Sequence, residues 1–162
     1  MEALKQMGIA LLEMLLLLGL VGFVVWAINA SRPLSLPLRQ QHERLGRALA
    51  ELRRQSRRHP HLREPLQQVR AYGRNLYKLF PKLTELERLC TTPGLDYHTR
   101  TEVSARYTSL DTTLDQGIAY IERLGAELAL VEGKGEPPAL ADLPQHLIAL
   151  REALHPPSIH QG

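Results

Sequence analysis

The residues able to carry chemistry are few and scattered. Four of the seven histidines, His59, His61, His155 and His160, could gather a metal ion, because neutral imidazole is a common ligand. Two of them flank Pro60 at the end of a helical pattern, and two lie in the terminal stretch 155–160, which contains Pro156-Pro157. No cysteine-rich pattern accompanies them, so they read as surface histidines. Cys90 is the single cysteine, which excludes an intramolecular disulfide. Nothing beside it would activate a thiolate, and it reads as a small buried residue. Gly133-Lys134-Gly135 lacks the spacing and the following Ser or Thr of a phosphate loop. There is no nucleophile elbow and no HExxH pair. The expectation is a protein without catalytic activity, with no cofactor, no metal and no identified small-molecule substrate.

One chemical bias does stand out, and it is positive charge. Residues 32–58 hold eight arginines (32, 39, 44, 47, 53, 54, 57 and 58) against Glu43 and Glu51, a net of +6. From residue 59 to the end, 11 Lys and Arg face 13 Asp and Glu, a net of −2, although the whole chain is +3. Three readings are open: a solvated helix face, attraction to anionic lipid headgroups, or nucleic-acid binding. Nucleic acid is not expected, because aromatic residues do not interleave the arginines and the remainder is slightly acidic. Headgroup attraction has a definite argument, since the cluster follows directly on an apolar run. Each basic residue near a membrane surface contributes about 1 kcal/mol. Arg39, Arg44, Arg47, Arg54 and Arg58 are the candidate membrane-surface contacts.

The apolar run extends from Met7 to Ile28, 22 residues with one charge. As a helix it reaches roughly 33 Å, enough to cross a hydrocarbon core of about 30 Å. A soluble core helix is not apolar on every face for so long. Trp26 suits the interface at its downstream end, and Asn29, Ser31, Arg32 and Pro33 close it. The run is longer than the apolar region of a cleaved secretory signal, and no small-x-small cleavage site follows. The expected organisation is a tail at 1–6, a transmembrane helix at 7–28, a linker at 29–37, a helical domain at 38–155 and a flexible tail at 156–162.

Glu13 is the polar exception inside the span. An ionised carboxylate at mid-bilayer costs about 3 kcal/mol. The group is therefore protonated, or placed near the headgroups, or paired. Gly8-Ile9-Ala10-Leu11-Leu12-Glu13, followed by an apolar run containing Gly22, resembles the N-terminus of type IV prepilins. That resemblance covers about 20 residues of the 162. It implies cleavage after Gly8, pairing of Glu13 with the freed amine of Ile9 in a neighbouring subunit, and a domain outside the cytoplasm.

Orientation by flanking charge points the other way. Lys5 and the terminal amine stand upstream, whereas Arg32, Arg39, Arg44 and Arg47 stand within 20 residues downstream. Positive charge stays inside, so the expected location is a single-pass membrane protein with a cytoplasmic C-terminal domain. The Asn29-Ala30-Ser31 sequon lies too close to the membrane to count against this.

Beyond the linker the pattern is helical throughout: leucine is abundant, and β-branched runs are nearly absent outside the span. The first helix is expected over about 38–58, with Leu38, Leu45 and Leu52 recurring at seven and His42, Leu49 and Ser56 interleaved. A second is expected over 62–90, kinked near Pro81. A third runs over 99–132, opened by a Thr99-x-x-Glu102 capping box. It carries a heptad seam of Val103, Tyr107, Leu110, Leu114, Ile121, Leu124, Leu128 and Val131. Gly117 in that seam permits close approach of another helix. A fourth is expected over 142–154, with Asp142 as N-cap and Pro144 in its first turn. The fold class is therefore all-α: a single N-terminal transmembrane helix followed by a small antiparallel helical bundle. The seam serves either this core or self-association. The expected partners are membrane lipid and a protein partner or second copy met through helical faces.

Overall fold

A computed structural model of the chain describes residues 34–155. The apolar run with Gly8, Ile9, Glu13, Gly22 and Trp26, the sequon and the tail at 156–162 lie outside the described residues. Among the described residues there is no strand, and no helix is long and apolar enough to cross a membrane.

Five α-helices form the domain: α1 (Leu36–Ser56), α2 (Arg63–Leu76), α3 (Leu79–Cys90), α4 (Tyr97–Leu130) and α5 (Leu143–Leu154). Short 3-10 turns at Pro60–Leu62 and Pro138–Asp142 lead into α2 and α5. The second of these turns left no periodic signal in the sequence.

Local chemistry explains where these helices start and stop. α1 begins two residues earlier than the spacing suggests, because Pro37 fits the first turn, where its missing N–H is not needed. The expected 62–90 helix is two helices. Pro81 is the third residue of α3, and its ring and absent N–H conflict with the carbonyl four residues back, that of Tyr77. The chain therefore yields at Tyr77–Lys78, where the Lys78 N–H donates to the Asn75 carbonyl at 3.0 Å. The cap of α4 is Asp96, not Thr99. Its carboxylate accepts from the Thr99 N–H at 3.0 Å and the Thr99 hydroxyl at 2.6 Å, so the helix starts at Tyr97. Asp142 occupies the N-cap position of α5 without capping it. Its Oδ2 instead lies 3.1 Å from Nη2 of Arg123.

Leu38, Leu45 and Leu52 are fully buried on α1, as the sevenfold spacing implies. The interleaving positions differ: Ala48 and Gln55 are buried, His42 is exposed, and Leu49 and Ser56 are half-buried. The stripe thus steps by three and then four from Leu45, which turns His42 outward against the rings of Tyr77 and Phe80, at centroid distances of 5.0 and 5.1 Å. On α4, Leu110, Leu114, Gly117, Ile121, Leu124 and Leu128 are buried within the domain, while Val103, Tyr107 and Val131 are half-buried near its ends.

Paired residues give the helix directions. Gly117 meets Tyr72 and Leu76 while Gly73 meets Ile121, so α2 runs antiparallel to α4; Gly73 meets Leu49 while Arg70 meets Ser56, so it runs antiparallel to α1 as well. Gln41 pairs with Asp111 and His59 with Leu128, so α1 and α4 run the same way. Their contact is the most extensive in the domain. A Cβ at Gly117 would lie 2.6 Å from Tyr72 Oη and 2.7 Å from Leu76 Cδ2. Glycine is thus what lets α2 seat this closely on α4.

Candidate functional site: the arginine faces of α1

The five arginines singled out in the sequence are not equivalent. Arg44 turns inward to α4. Its Nε and Nη2 donate to Glu122 at 3.2 and 2.8 Å, and its Nη1 donates to Asp115 at 3.0 Å. Glu122 and Asp115 stand seven apart on α4 and share a face, so one guanidinium fork reaches both. These hydrogen bonds, that to Glu122 foremost, raise the Arg44 pKa above its ordinary value. Arg44 is therefore committed to α4.

The other four stay at the surface. Arg39 pairs with Glu43 at 3.2 Å and Arg54 with Glu51 at 3.4 Å, both within α1 and both exposed. Such pairs contribute about 0–1 kcal/mol and exchange readily for another anion. Arg47 and Arg58 are exposed and have no ion-pair partner among the described residues. Arg39, Arg47, Arg54 and Arg58 are the members of the set still able to meet a lipid surface.

Along the sequence the basic cluster ends at residue 58, and the fold extends it. Arg63, Arg70 and Arg74 of α2, spaced seven and four apart, face the flank of α1 that carries Arg53 and Arg57. The signal was present: 63, 67, 70 and 74 form one helical face with no acid on it. The net negative charge of α4 and of the loops beyond α2 masks it in the total.

The histidines also part company. His59 is buried rather than on the surface, and its Nε2–H donates to the Leu128 carbonyl at 2.9 Å. That carbonyl is among the last four of α4, which have no partner within the helix. His61 Nε2 lies 3.3 Å from the Gly135 carbonyl. The His59-Pro60-His61 corner therefore holds the C-terminal end of α4 and the loop that follows. Among the described residues no group of three or more His, Cys, Asp or Glu could hold a metal ion, and Cys90 is a half-buried free thiol.

A second polar cluster lies among Tyr72, Tyr120 and His146. The Tyr120 ring is 5.9 Å from that of Tyr72 and 4.2 Å from that of His146. Burial raises the pKa of both tyrosines, Tyr120 to about 12, and lowers that of His146. Asp142 opposes the His146 shift and Arg123 reinforces it. All three side chains are thus neutral at pH 7 and act as packing.

No protein-family model, no curated protein and no solved structure matches this chain.

Proposed function

We propose that this chain is a single-pass membrane-anchored interaction protein without catalytic activity, which presents a cytoplasmic all-α domain to partners at the membrane. The observation that carries the reading is the run from Met7 to Ile28, 22 residues with one charge, followed at once by arginines. The exposed Arg39, Arg47, Arg54 and Arg58 support contact with anionic headgroups, each adding about 1 kcal/mol at a surface. Faces left outside the core, including Leu147 and Ile148 on α5 and Leu130 on α4, support a protein partner or a second copy. A C-terminal fluorescent reporter is expected to glow inside cells, while a C-terminal periplasmic phosphatase fusion stays silent. The reverse pattern overturns the orientation.

The spacing of Gly8, Glu13 and Gly22 favours a second reading: a type IV pilin-like or pseudopilin-like subunit with an extracytoplasmic helical domain. It requires a mature N-terminus at Ile9 and loss of assembly in Glu13→Ala. Mass spectrometry that finds Met1 intact, in cells with an active prepilin peptidase, excludes it.

A further inference from the structure

Between the outer flank of α1 and α2 lies a groove of two adjoining lobes, about 320 and about 410 Å³. Arg53, Arg63 and Arg70 line both lobes; Arg74 closes one, and Arg57 with Ser56 closes the other. No carboxylate lines either lobe. None of the five guanidinium groups has an ion-pair partner among the described residues. Arg44, one helical face away, has two.

The groove is held in shape. Arg70 is half-buried, and its Nη2 donates to the Ser56 hydroxyl across the two helices. Its Nε is buried and has no hydrogen-bond partner among the described residues. α2 also begins at Arg63, so the positive end of its helix dipole opens beside the same lobes. Five like charges around one concavity repel one another, and an anion seated among them relieves that repulsion. Guanidinium forks match phosphate oxygens two at a time. Five of them exceed what one carboxylate or one phosphate can satisfy. The lobes fall within the size range of small-ligand sites, roughly 300–1,000 Å³. Leu49 and Pro60 are the only apolar residues that line them, so recognition of a ligand there rests on the arginines.

We propose that this groove is a binding site for a ligand bearing two or more phosphoryl groups, held by Arg53, Arg57, Arg63, Arg70 and Arg74. The site uses none of Arg39, Arg47, Arg54 and Arg58, and does not depend on which side of a membrane the domain occupies. A soluble polyphosphate ester and a lipid headgroup with paired phosphates present the same chemistry.

Arginine-selective modification by phenylglyoxal, read residue by residue by mass spectrometry on the full chain in neutral detergent micelles, tests this and separates the two sources. Inorganic pyrophosphate at ten times its dissociation constant should slow modification of Arg53, Arg57, Arg63 and Arg74 about tenfold. Arg39, Arg47 and Arg100 should be unaffected. Protection by pyrophosphate without lipid identifies a soluble ligand. Protection only when cardiolipin is mixed into the micelles identifies a headgroup. Protection by both supports the phosphate pair itself as the recognised group. The Arg63→Gln/Arg74→Gln variant, with its helical circular dichroism intact, should lose protection at Arg53 and Arg57. No protection by either probe, or protection spread equally to Arg39, Arg47 and Arg100, overturns the proposal.

Discussion

The two flanks of α1 carry the same side chain to different ends. On one flank Arg44 meets Glu122 and Asp115 of α4, and beside it Gln41 donates to Asp111 at 2.9 Å. On the other, Arg53 and Arg57 meet Arg63, Arg70 and Arg74 of α2. The first flank is closed by complementary charge and contributes to holding the bundle. The second is closed by packing and the Arg70–Ser56 hydrogen bond, and it leaves its charge without an ion pair. The difference lies in the partner helix: α4 presents acids at 111, 115 and 122, and α2 presents arginines at 63, 70 and 74. Charge counted along a window therefore says little about charge gathered at a surface.

That contrast assumes that the buried stripe between the flanks, not either flank, holds α1 in place. Leu52 lies on that stripe and is fully buried. Leu52→Ala should cost about 2–5 kcal/mol, measured by urea unfolding of the full chain in detergent. A loss no larger than that of a flank substitution would mean that the charges, and not the core, seat the helix.

The corner that joins the flanks comes next in size. His59→Ala removes the donor to the Leu128 carbonyl and leaves that group buried without a partner, at a cost of about 1–3 kcal/mol. Hydrogen exchange should quicken first at the C-terminal turn of α4. Unchanged protection there would separate the arginine groove from the α4 terminus and narrow the comparison to α1 and α2.

The direct test sets one flank against the other. The Arg44 side chain is 37 % exposed, so solvent screens its pairs. Arg44→Gln is expected to destabilise by about 0.5–1 kcal/mol. Arg63→Gln should change stability by no more than about 0.5 kcal/mol, and in the stabilising direction, since it relieves repulsion. Equal losses from the two substitutions, compared by midpoint of unfolding, would abolish the distinction.

The smallest effect comes from the packed cluster behind α2. His146 is held neutral by burial in the fold, so the unfolded chain takes up the proton first. Stability should fall as pH drops through the ordinary histidine value of about 6.5, then level off once folded His146 also charges. The melting temperature between about pH 8 and about pH 5 reports this, and His146→Gln should flatten that part of the profile.

Much of this molecule is written in local spacing. The all-α character, the core positions Leu38, Leu45 and Leu52, and the central seam from Leu110 to Leu128 follow from helical periodicity, because burying one stripe requires apolar residues every three or four positions. The stop after Cys90 is equally local, since Pro93 and Gly94, which takes φ +90, resist helix. Boundaries were less legible where two local rules competed. Thr99-x-x-Glu102 resembles a capping box, but Asp96 reached the Thr99 N–H first. Pro81 marked a break, but its steric demand falls four residues earlier, at Tyr77.

The fate of each arginine and histidine was not local at all. Arg39, Arg44, Arg47, Arg54 and Arg58 are indistinguishable by type, and nothing near Arg44 in the chain announces Glu122. His59 beside a proline looked like a surface residue until α4 ended above it. The arginine groove needs two helices set antiparallel in one register, and that register comes from packing at Gly73 and Gly117. By itself the sequence determined an apolar segment, a helical domain after it and a basic stretch that opens the domain. Tertiary structure alone decided which charges are neutralised and which converge, because Coulomb interactions depend on distance in space and not on separation along the chain.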